Sequence, residues 1–308
     1  MTSKGWEISL GWRDRIREFN YGVSFNLSDY EITIDEYANN PGKSLSIGQP
    51  NGKNGPYYEG AKLGAIWGFT TVGIAKTQQE MDDHLAKVNQ SIIAASGWSA
   101  GDIMYADLDG DGRLSQGNYT ADDHGDWTII GNSTPRLSYG INIDMQWKGF
   151  DLRVFMQGIG KRDYWASDAV FTGPFANNQW QAVGLEQHLD YFRPADTTNP
   201  LGPNLDSYYP RPNWSGGRNF QRQTGYLQDA SYWRLKNVTL GYTIPQSITR
   251  KAYIENLRIY FSAENLATIT KFTGTGDPEL VDAYYSAYGY GKVYPLSRVL
   301  SFGLNVTF

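Results

Sequence analysis

The 308-residue sequence contains no cysteine and no long apolar run. The absence of cysteine excludes a disulfide framework and a thiolate metal site. No stretch approaches the roughly 18 consecutive apolar residues that a membrane-spanning helix needs, and the mean hydropathy is −0.50. The first residues, Met1 to Trp6, lack the apolar segment of a signal peptide, so we expect none in this chain. The net charge of −5 gives no indication of a nucleic-acid partner.

Aromatic residues and glycine are abundant: the chain has 22 Tyr, 13 Phe, 10 Trp and 34 Gly. Low mean hydropathy does not exclude a membrane β-barrel, because each barrel strand is apolar on one face only. Aromatic girdles and glycine-rich turns give such a barrel this composition. Carbohydrate-binding β-sandwiches have it too, so composition leaves both classes open.

Alternation of apolar and polar residues with period two is the dominant pattern, and it predicts strands. We expect apolar positions such as Leu304 and Val306 to face lipid, while Asn305 and Thr307 face a wet interior. The predicted strands run about 9–13 residues, which suits a tilted membrane-spanning strand. The segments are Trp6–Trp12, Phe19–Leu27, Leu137–Trp147, Phe150–Met156, a strand ending with Val238–Ile244, a strand opening with Leu257–Phe261, and Leu300–Phe308.

The connections between these segments alternate between short and long. The short ones are Asp14–Glu18 and Lys148–Gly149, and Pro245–Asn256 at the same end is of moderate length. The long ones span 32–135, 163–229 and 269–295. Short periplasmic turns and long extracellular loops are the pattern of outer-membrane barrels, whereas a soluble sandwich has no reason to keep this bias.

About seven strands are predicted, and this number indicates part of a barrel. Bacterial single-chain barrels usually have an even number of strands. An unpaired first strand would also leave an open edge, which is untenable in lipid. Two short helices are predicted inside the long loops, one around Met81–Ile92 and one from about Gln179 to Phe192.

The most specific motif is Asp107-Leu-Asp-Gly-Asp-Gly112. Carboxylates at alternate positions of a glycine-containing turn converge on one point, as hard cations require. An EF-hand is rejected, because Asn118 stands where that loop has its bidentate Glu and no helix precedes the motif. The alternative is an Asp/Gly turn without an ion. The predicted ligands for Ca²⁺ or Mg²⁺ are the carboxylates of Asp107, Asp109, Asp111, Asp122 and Asp123 and the backbone carbonyl of Arg113.

Motifs for catalysis are weak, and we expect no enzyme. Gly97-Trp-Ser-Ala-Gly101 matches a nucleophile elbow but lacks the preceding strand and following helix that the elbow needs. His84, His124 and His188 have no evident partnership with Ser99. Adjacent acids such as Asp122 and Asp123 form a solvated face more often than a glycosidase pair.

Aromatic residues crowd the middle loop, and two interpretations stay open for them. Flat rings beside amides and acids suit contact with a sugar or peptide. A large loop also needs a small core of its own. The candidate substrate-contacting residues are Trp165, Phe171, Trp180, Tyr208, Tyr209 and Trp214.

Several stretches, taken together and in order, resemble the SusC/RagA family of TonB-dependent transporters. Each is weak alone, but the set spans nearly the whole chain in the family's order. The stretches are Lys4–Leu10, Tyr105–Gly112, Thr128–Asn132 with Pro135 and the strand to Trp147, Phe150–Gly158, Asp229–Tyr242, Ser262–Leu266 and Ser301–Phe308.

This resemblance implies an all-β chain, 1–308, that forms the C-terminal third of a 22-stranded transmembrane barrel, without the plug domain and N-terminal strands. It implies import of oligosaccharides or peptides across the outer membrane of a Gram-negative bacterium. The implied partners are a SusD-like lipoprotein, the TonB complex through the missing N-terminal part, and outer-membrane lipid. Terminal Phe308 would belong to the signal read by the barrel-assembly machinery.

The chain departs from the family at residues 116–125, which follow the Asp-rich motif as extra residues and put its last metal ligand in doubt. Three other interpretations remain. The chain could be a soluble carbohydrate-binding β-sandwich, a β-rich hydrolase using Ser99 or a carboxylate pair, or a complete small barrel. The small barrel needs an eighth strand, for which 61–75 is the only plausible source.

Overall fold

The computed structural model describes residues 1–46, 56–166, 169–175, 184–213, 216–272, 276–281 and 293–308. Most of the regular structure is antiparallel β-sheet, with a few short helices. The strands are β1 (Thr2–Ile16), β2 (Phe19–Thr33), β3 (Ala65–Gly68), β4 (Thr71–Ile74), β5 (Ile103–Tyr105), β6 (Thr128–Asn132), β7 (Arg136–Trp147), β8 (Phe150–Lys161), β9 (Asp163–Trp165), β10 (Leu227–Asp229), β11 (Tyr232–Thr243), β12 (Asn256–Thr270) and β13 (Val299–Thr307).

The long strands form one sheet in the order β1-β2-β7-β8-β11-β12-β13. Every long strand is therefore hydrogen-bonded to its neighbours along the chain, and all pairs are antiparallel. Five of the seven alternating segments lie entirely within these strands; Val238–Ile244 overruns β11 by one residue, and Leu300–Phe308 overruns β13 by one residue. Within the described ranges the sheet is open, and no closed barrel is found.

The connections at the two ends of this sheet differ as the sequence predicted. At one end, Arg17 and Glu18 join β1 to β2, and Lys148-Gly149 joins β7 to β8. Lys148 and Gly149 have φ values of 47° and 88°, which match a two-residue hairpin turn. The third connection at this end contains helix α3 (Gln246–Thr249) and a 3-10 turn (Arg250–Ala252). The long loops, 34–135, 162–231 and 271–298, all leave the other end.

The strand register gives the sheet one apolar and one polar face. Residues directly opposite each other in an antiparallel sheet share a face, so each row can be followed across the strands. One row of the apolar face is Leu10, Phe25, Ile141, Met156, Leu235 and Ala267. The row one residue away lies on the polar face and contains Ser9, Asn26, Gly140, Gln157, Arg234 and Thr268.

The hydrophobic core lies in the loops, beyond the long-loop end of the sheet. Ile66, Phe69, Met81, Tyr105 and Phe171 are each at most 2% exposed and belong to one buried cluster. By contrast, the apolar face keeps large exposed side chains; Leu10, Trp12 and Phe302 are between 63% and 83% exposed. In the parts of the chain described, no second sheet packs on that face, as a β-sandwich would require.

Small elements organise the loops. β3 pairs with β6, β4 with β5, and β9 with β10, each pair forming its own two-stranded sheet. The 61–75 stretch thus supplies β3 and β4 in a loop, and it does not supply the eighth long strand that a complete small barrel would need. Helix α1 runs from Gln78 to Leu85, capped by the Thr77 side chain. Val88 and Ile92 follow it in non-helical chain, so the predicted helix ends earlier than expected.

The second predicted helix, 179–192, was also wrong over the residues that can be judged. Within 184–192 the only helical element is a 3-10 turn, Glu186–Leu189, and 179–183 lie outside the described residues. A one-turn α-helix, α2 (Ala169–Thr172), and a 3-10 turn (Gly173–Phe175) precede it. No helix of the described residues is long and apolar enough to span a membrane.

Candidate functional site

The Asp-rich motif forms a compact turn directly after the buried strand β5. The carboxylate of Asp107 accepts hydrogen bonds from the backbone amides of Gly110 and Gly112, at 2.7 and 2.8 Å. Both glycines have positive φ, 78° and 82°, which explains why glycine occupies these positions. Asp109 accepts from the amide of Asp111 at 3.1 Å. The Asp107 and Asp109 side chains therefore hold the turn in shape by accepting hydrogen bonds from its backbone amides.

Asp126 completes a cluster with Asp107 and Asp109. Oxygens of the three carboxylates lie within 4.8 Å of one another. Asp126 is fully buried, and it accepts from the amides of Leu108 and Ser115 at 2.6 and 2.8 Å. It thus joins the entry of the loop to its exit. Two of the predicted ligands meet here, together with a carboxylate that the sequence analysis did not include.

The other predicted carboxylate ligands have partners elsewhere. Asp111 pairs with the Arg113 side chain, Nε to Oδ2 at 2.8 Å. Asp122 pairs with the amine of Lys43 at 3.0 Å. Asp123 accepts from the side-chain amide of Asn118 at 2.6 Å. Arg113 lies in a parallel β-bridge with Asn89, whose hydrogen bonds use the carbonyl of Gly112 and the amide of Leu114. None of these groups is among the three that the structure brings together.

The pKa values of half-buried Asp107 and exposed Asp109 are shifted in opposite directions. Hydrogen bonds to Asp107, the largest from the amide of Gly112, hold its pKa below the usual value. Asp109 behaves oppositely. The amide of Asp111 favours its charged form, but desolvation and the neighbouring carboxylates of Asp111, Asp126 and Asp107 outweigh that bond and raise its pKa. Crowded carboxylates of this kind are the donor set that a hard divalent cation would neutralise.

The candidate loop aromatics are mostly packing residues in this structure. Trp165, Phe171 and Tyr209 are between 2% and 4% exposed and belong to the loop core. Tyr208 is partly buried against the same core, and its hydroxyl accepts a hydrogen bond from Gln228 at 2.7 Å. The structure therefore favours the core interpretation for these four residues. Trp180 and Trp214 lie outside the described residues.

Ser99 sits in a structural turn rather than an elbow. Its backbone amide donates to the buried carboxylate of Asp102 at 3.0 Å, and its hydroxyl lies 3.5 Å from the carbonyl of Ala100. Asp102 also forms a bidentate ion pair with Arg211, at 2.8 and 2.9 Å. Asn219 donates to Asp102 as well, at 2.9 Å. This network fastens the loop 34–135 to the loop 162–231.

The three histidines each have a local hydrogen-bond partner, and none is with Ser99. His84 contacts Gln90 at 3.0 Å, and His124 contacts the carbonyl of Gly125 at 2.9 Å. His188 is buried; its Nδ1 accepts from the amide of Leu185 at 2.9 Å.

Phe308, the predicted assembly signal, follows β13 and is 84% exposed.

Comparison with known proteins finds similarity over the entire chain. TonB-dependent receptor P3 of Formosa agariphila is 28% identical over 327 residues, which covers 100% of this chain and 29% of that receptor. TonB-dependent receptor P26 of the same organism is 24% identical, with the same coverage. The resemblance to SusC/RagA-like TonB-dependent receptors is confirmed.

Similarity to solved structures agrees with this result at the level of the fold. The structure of the RagAB peptide transporter matches 99% of this chain and 29% of that chain, with a TM-score of 0.67 and 21% identity. The chain therefore spans less than a third of the length of the receptors and transporter chain that it matches. No protein-family model matches the chain. The similar proteins are named as receptors and transporters, which agrees with the expectation of a non-enzymatic chain.

Proposed function

We propose that this chain is the C-terminal wall of the barrel of an outer-membrane, TonB-dependent nutrient transporter. The observation that carries the proposal is the continuous apolar face of the seven-stranded sheet, with no protein layer on it in the described residues. Lipid is the partner that such a face fits, because an apolar band facing outward is the rule for membrane barrels. The polar face then lines the lumen.

The asymmetry of the connections supports an orientation for the chain. In outer-membrane barrels the short turns are periplasmic and the long loops extracellular. The open edges of β1 and β13 are then hydrogen-bonded to further strands of a 22-stranded barrel, because unpaired edges are not tolerated in lipid. Phe308, at the periplasmic end, serves as part of the assembly signal.

The substrate and partners follow from the resemblance. The full-length protein imports oligosaccharides or peptides, with energy from the TonB complex through segments outside this chain. A SusD-like lipoprotein closes the mouth formed by the long loops. The similarity to a peptide transporter complex supports this class of substrate and partner.

We also propose that Asp107, Asp109 and Asp126 bind Ca²⁺ in the extracellular loop. The mutual distances of their oxygens and the raised pKa of Asp109 support this assignment. Because the cluster lies between β5 and β6, the ion would fix the loop's shape and would take no part in transport chemistry.

The proposal is tested by mapping epitope tags in the full-length protein on intact cells. One tag follows Asp196, an exposed residue in a long loop, and the other follows Lys251, an exposed residue in the α3 connection. Antibody should reach the first tag on intact cells and the second only after the outer membrane is permeabilised. Recovery of the protein in the aqueous fraction would instead favour the β-sandwich, and reversed accessibility would overturn the orientation.

A further inference from the structure

A charged cluster fixes the last long loop to the sheet. Arg234, on β11, donates to Glu279 through Nη1 and to Asp277 through Nη2, both at 2.6 Å. The Lys236 amine lies 3.1 Å from the Glu279 carboxylate. The side-chain amide of Gln157 donates a hydrogen bond to the same carboxylate at 3.0 Å. Strands β8 and β11 therefore both bind the same loop residue.

The register decides which face of the sheet this loop covers. Arg234 lies opposite Gln157 on one side and Thr268 on the other, in the row that belongs to the polar face. The residue after it, Leu235, lies opposite Met156 on the apolar face. The loop residues that bind Arg234 and Gln157 are therefore on the polar side of the sheet, and they cannot be on its apolar side.

The bound part of the loop, Asp277–Val281, is a folded element that we name the inner segment. Pro278–Leu280 forms a 3-10 turn, and the Asp277 side chain caps it by accepting from the amide of Glu279 at 2.9 Å. Val281 is fully buried in the loop core. The inner segment thus has one end bound to the polar face and the other anchored among the loops.

The charged side chains of this cluster form ion pairs with one another. Two cations, Arg234 and Lys236, meet two carboxylates, Asp277 and Glu279, and the Arg234 side chain is only 4% exposed. Glu279 accepts from three different side chains. Charge-assisted bonds of this density hold a segment in place, and they leave few free acceptor sites for a ligand. The cluster is therefore suited to positioning.

We propose that the inner segment lies inside the lumen as a fixed constriction, with Arg234 as its positioning residue, and that it limits the size of the substrate that passes. This inference rests on the proposed function, because the polar face is a lumen only if the sheet is the wall of a barrel. Substrate entering from the long-loop end must pass the inner segment before it reaches the rest of the polar face.

A buried thiol tests the position of the inner segment without any measurement of transport. Val281→Cys keeps a small side chain at a fully buried site. These 308 residues contain no cysteine, and any cysteine elsewhere in the full-length protein is replaced by serine first. A bulky, membrane-impermeant maleimide is added to intact cells that make the full-length protein. Labelling should be slow in V281C, at least tenfold faster in V281C/R234A, and unchanged in V281C/R153A. Arg153 is the matched control, since it lies on the same face and pairs with Asp144 at 3.6 Å, and no hydrogen bond or ion pair joins it to the described part of the loop.

Uptake then tests the size limit. Cells with the wild type, R234A or R153A receive fluorescent oligopeptides and oligosaccharides, each as a length series. R234A should increase the uptake of the longest imported member relative to the shortest by at least threefold, and R153A should leave the ratio at the wild-type value. Faster labelling with an unchanged ratio would overturn the size limit. Equal labelling of V281C and V281C/R234A, with both proteins present in the outer membrane, would overturn the positioning role. Absence of any uptake would count against the proposed function alone.

Discussion

Arg258 on β12 reaches across the intervening strand β11 to pair with Asp151 on β8. The guanidinium makes two bonds to the carboxylate, at 2.8 and 2.5 Å. Gly241 lies beneath them on β11, where a Cβ would approach Arg258 Nη2 to 2.4 Å and Asp151 Oδ1 to 2.5 Å. The glycine therefore makes room for an ion pair between strands that are not hydrogen-bonded to each other.

The first prediction concerns this glycine. Gly241→Val should displace the Arg258–Asp151 pair and destabilise the folded protein by about 1–3 kcal/mol, the usual cost of overpacking. The measurement is urea unfolding of the full-length protein in lipid or detergent. Gly140→Ala is the control, because a Cβ there would make only ordinary contacts, the nearest at 3.6 Å. Equal effects of the two substitutions would contradict the steric argument.

The second prediction concerns the two faces of one strand. Val238 lies opposite Val154 and Ala263 on the apolar face, and Thr239 lies opposite Arg153 and Ser262 on the polar face. Val238→Arg should destabilise the protein in lipid by about 2–4 kcal/mol if it lies at the bilayer midplane, and less near an interface. Thr239→Arg should cost little, because the polar face stays wet. The effect of each substitution is measured as the amount of folded, heat-modifiable protein in the outer membrane. If V238R gave more folded protein than T239R, the assignment of the two faces would be reversed.

The third prediction concerns the link between the two longest loops. Asp102 is fully buried, whereas its partners Arg211 and Arg218 are 28% and 13% exposed. Removing its charge takes the charge-assisted bonds from both arginines, so Asp102→Asn should destabilise the loop unit by about 1–3 kcal/mol. Asp206 pairs with Lys76 between the same two loops, but its side chain is 84% exposed. Asp206→Asn should therefore cost at most about 1 kcal/mol. Hydrogen exchange of strands β4 and β5 measures both effects, and comparable protection in the two variants would refute the distinction.

The fourth prediction concerns calcium and pH. Millimolar Ca²⁺ should slow proteolysis of the loop between β5 and β6 in the wild type and in Asp122→Asn, but not in Asp109→Asn. The pKa of Asp109 is raised, so the folded loop disfavours the charged carboxylate. As pH falls through that pKa, Asp109 takes up a proton and this unfavourable charge disappears. The ion-free loop therefore becomes more stable as pH falls. Calcium needs the charged form, so its protection should fade at a higher pH than the usual carboxyl value of 3.8 allows. Protection that persists in D109N and disappears in D122N would favour the ligands predicted from the sequence.

The long strands could be predicted because their pattern is local. Val238 and Thr239 differ in polarity because they face opposite sides, and this alternation is visible in the sequence alone. The alternation of short and long connections was equally visible, since recognising it requires only the number of residues between predicted strands. The second predicted helix failed because helical spacing of apolar residues between 179 and 192 cannot be told from the spacing of a loop that packs its own core.

The partners of the charged residues could not be predicted, because they come from distant parts of the chain. Asp126 joins Asp107 and Asp109 only after β6 pairs with β3 and the loop turns back. Its position, immediately before the strand that follows the extra residues 116–125, was the one available signal. Arg234 and Glu279 are separated by 45 residues and by strand β12, so no spacing rule connects them.

The match between strand order and chain order has a kinetic consequence. The pairs β1–β2, β7–β8 and β11–β12 are joined by short connections and can form as local hairpins. Pairing β2 with β7, or β8 with β11, instead requires the loops 34–135 and 162–231 to close, which carries an entropic cost. The loop core adds contacts of longer range still: Thr71 hydrogen-bonds to Gln223 and Thr224, more than 150 positions away. The wall is therefore assembled from three local hairpins, whereas the maturation of the mouth must wait until β11 has been reached.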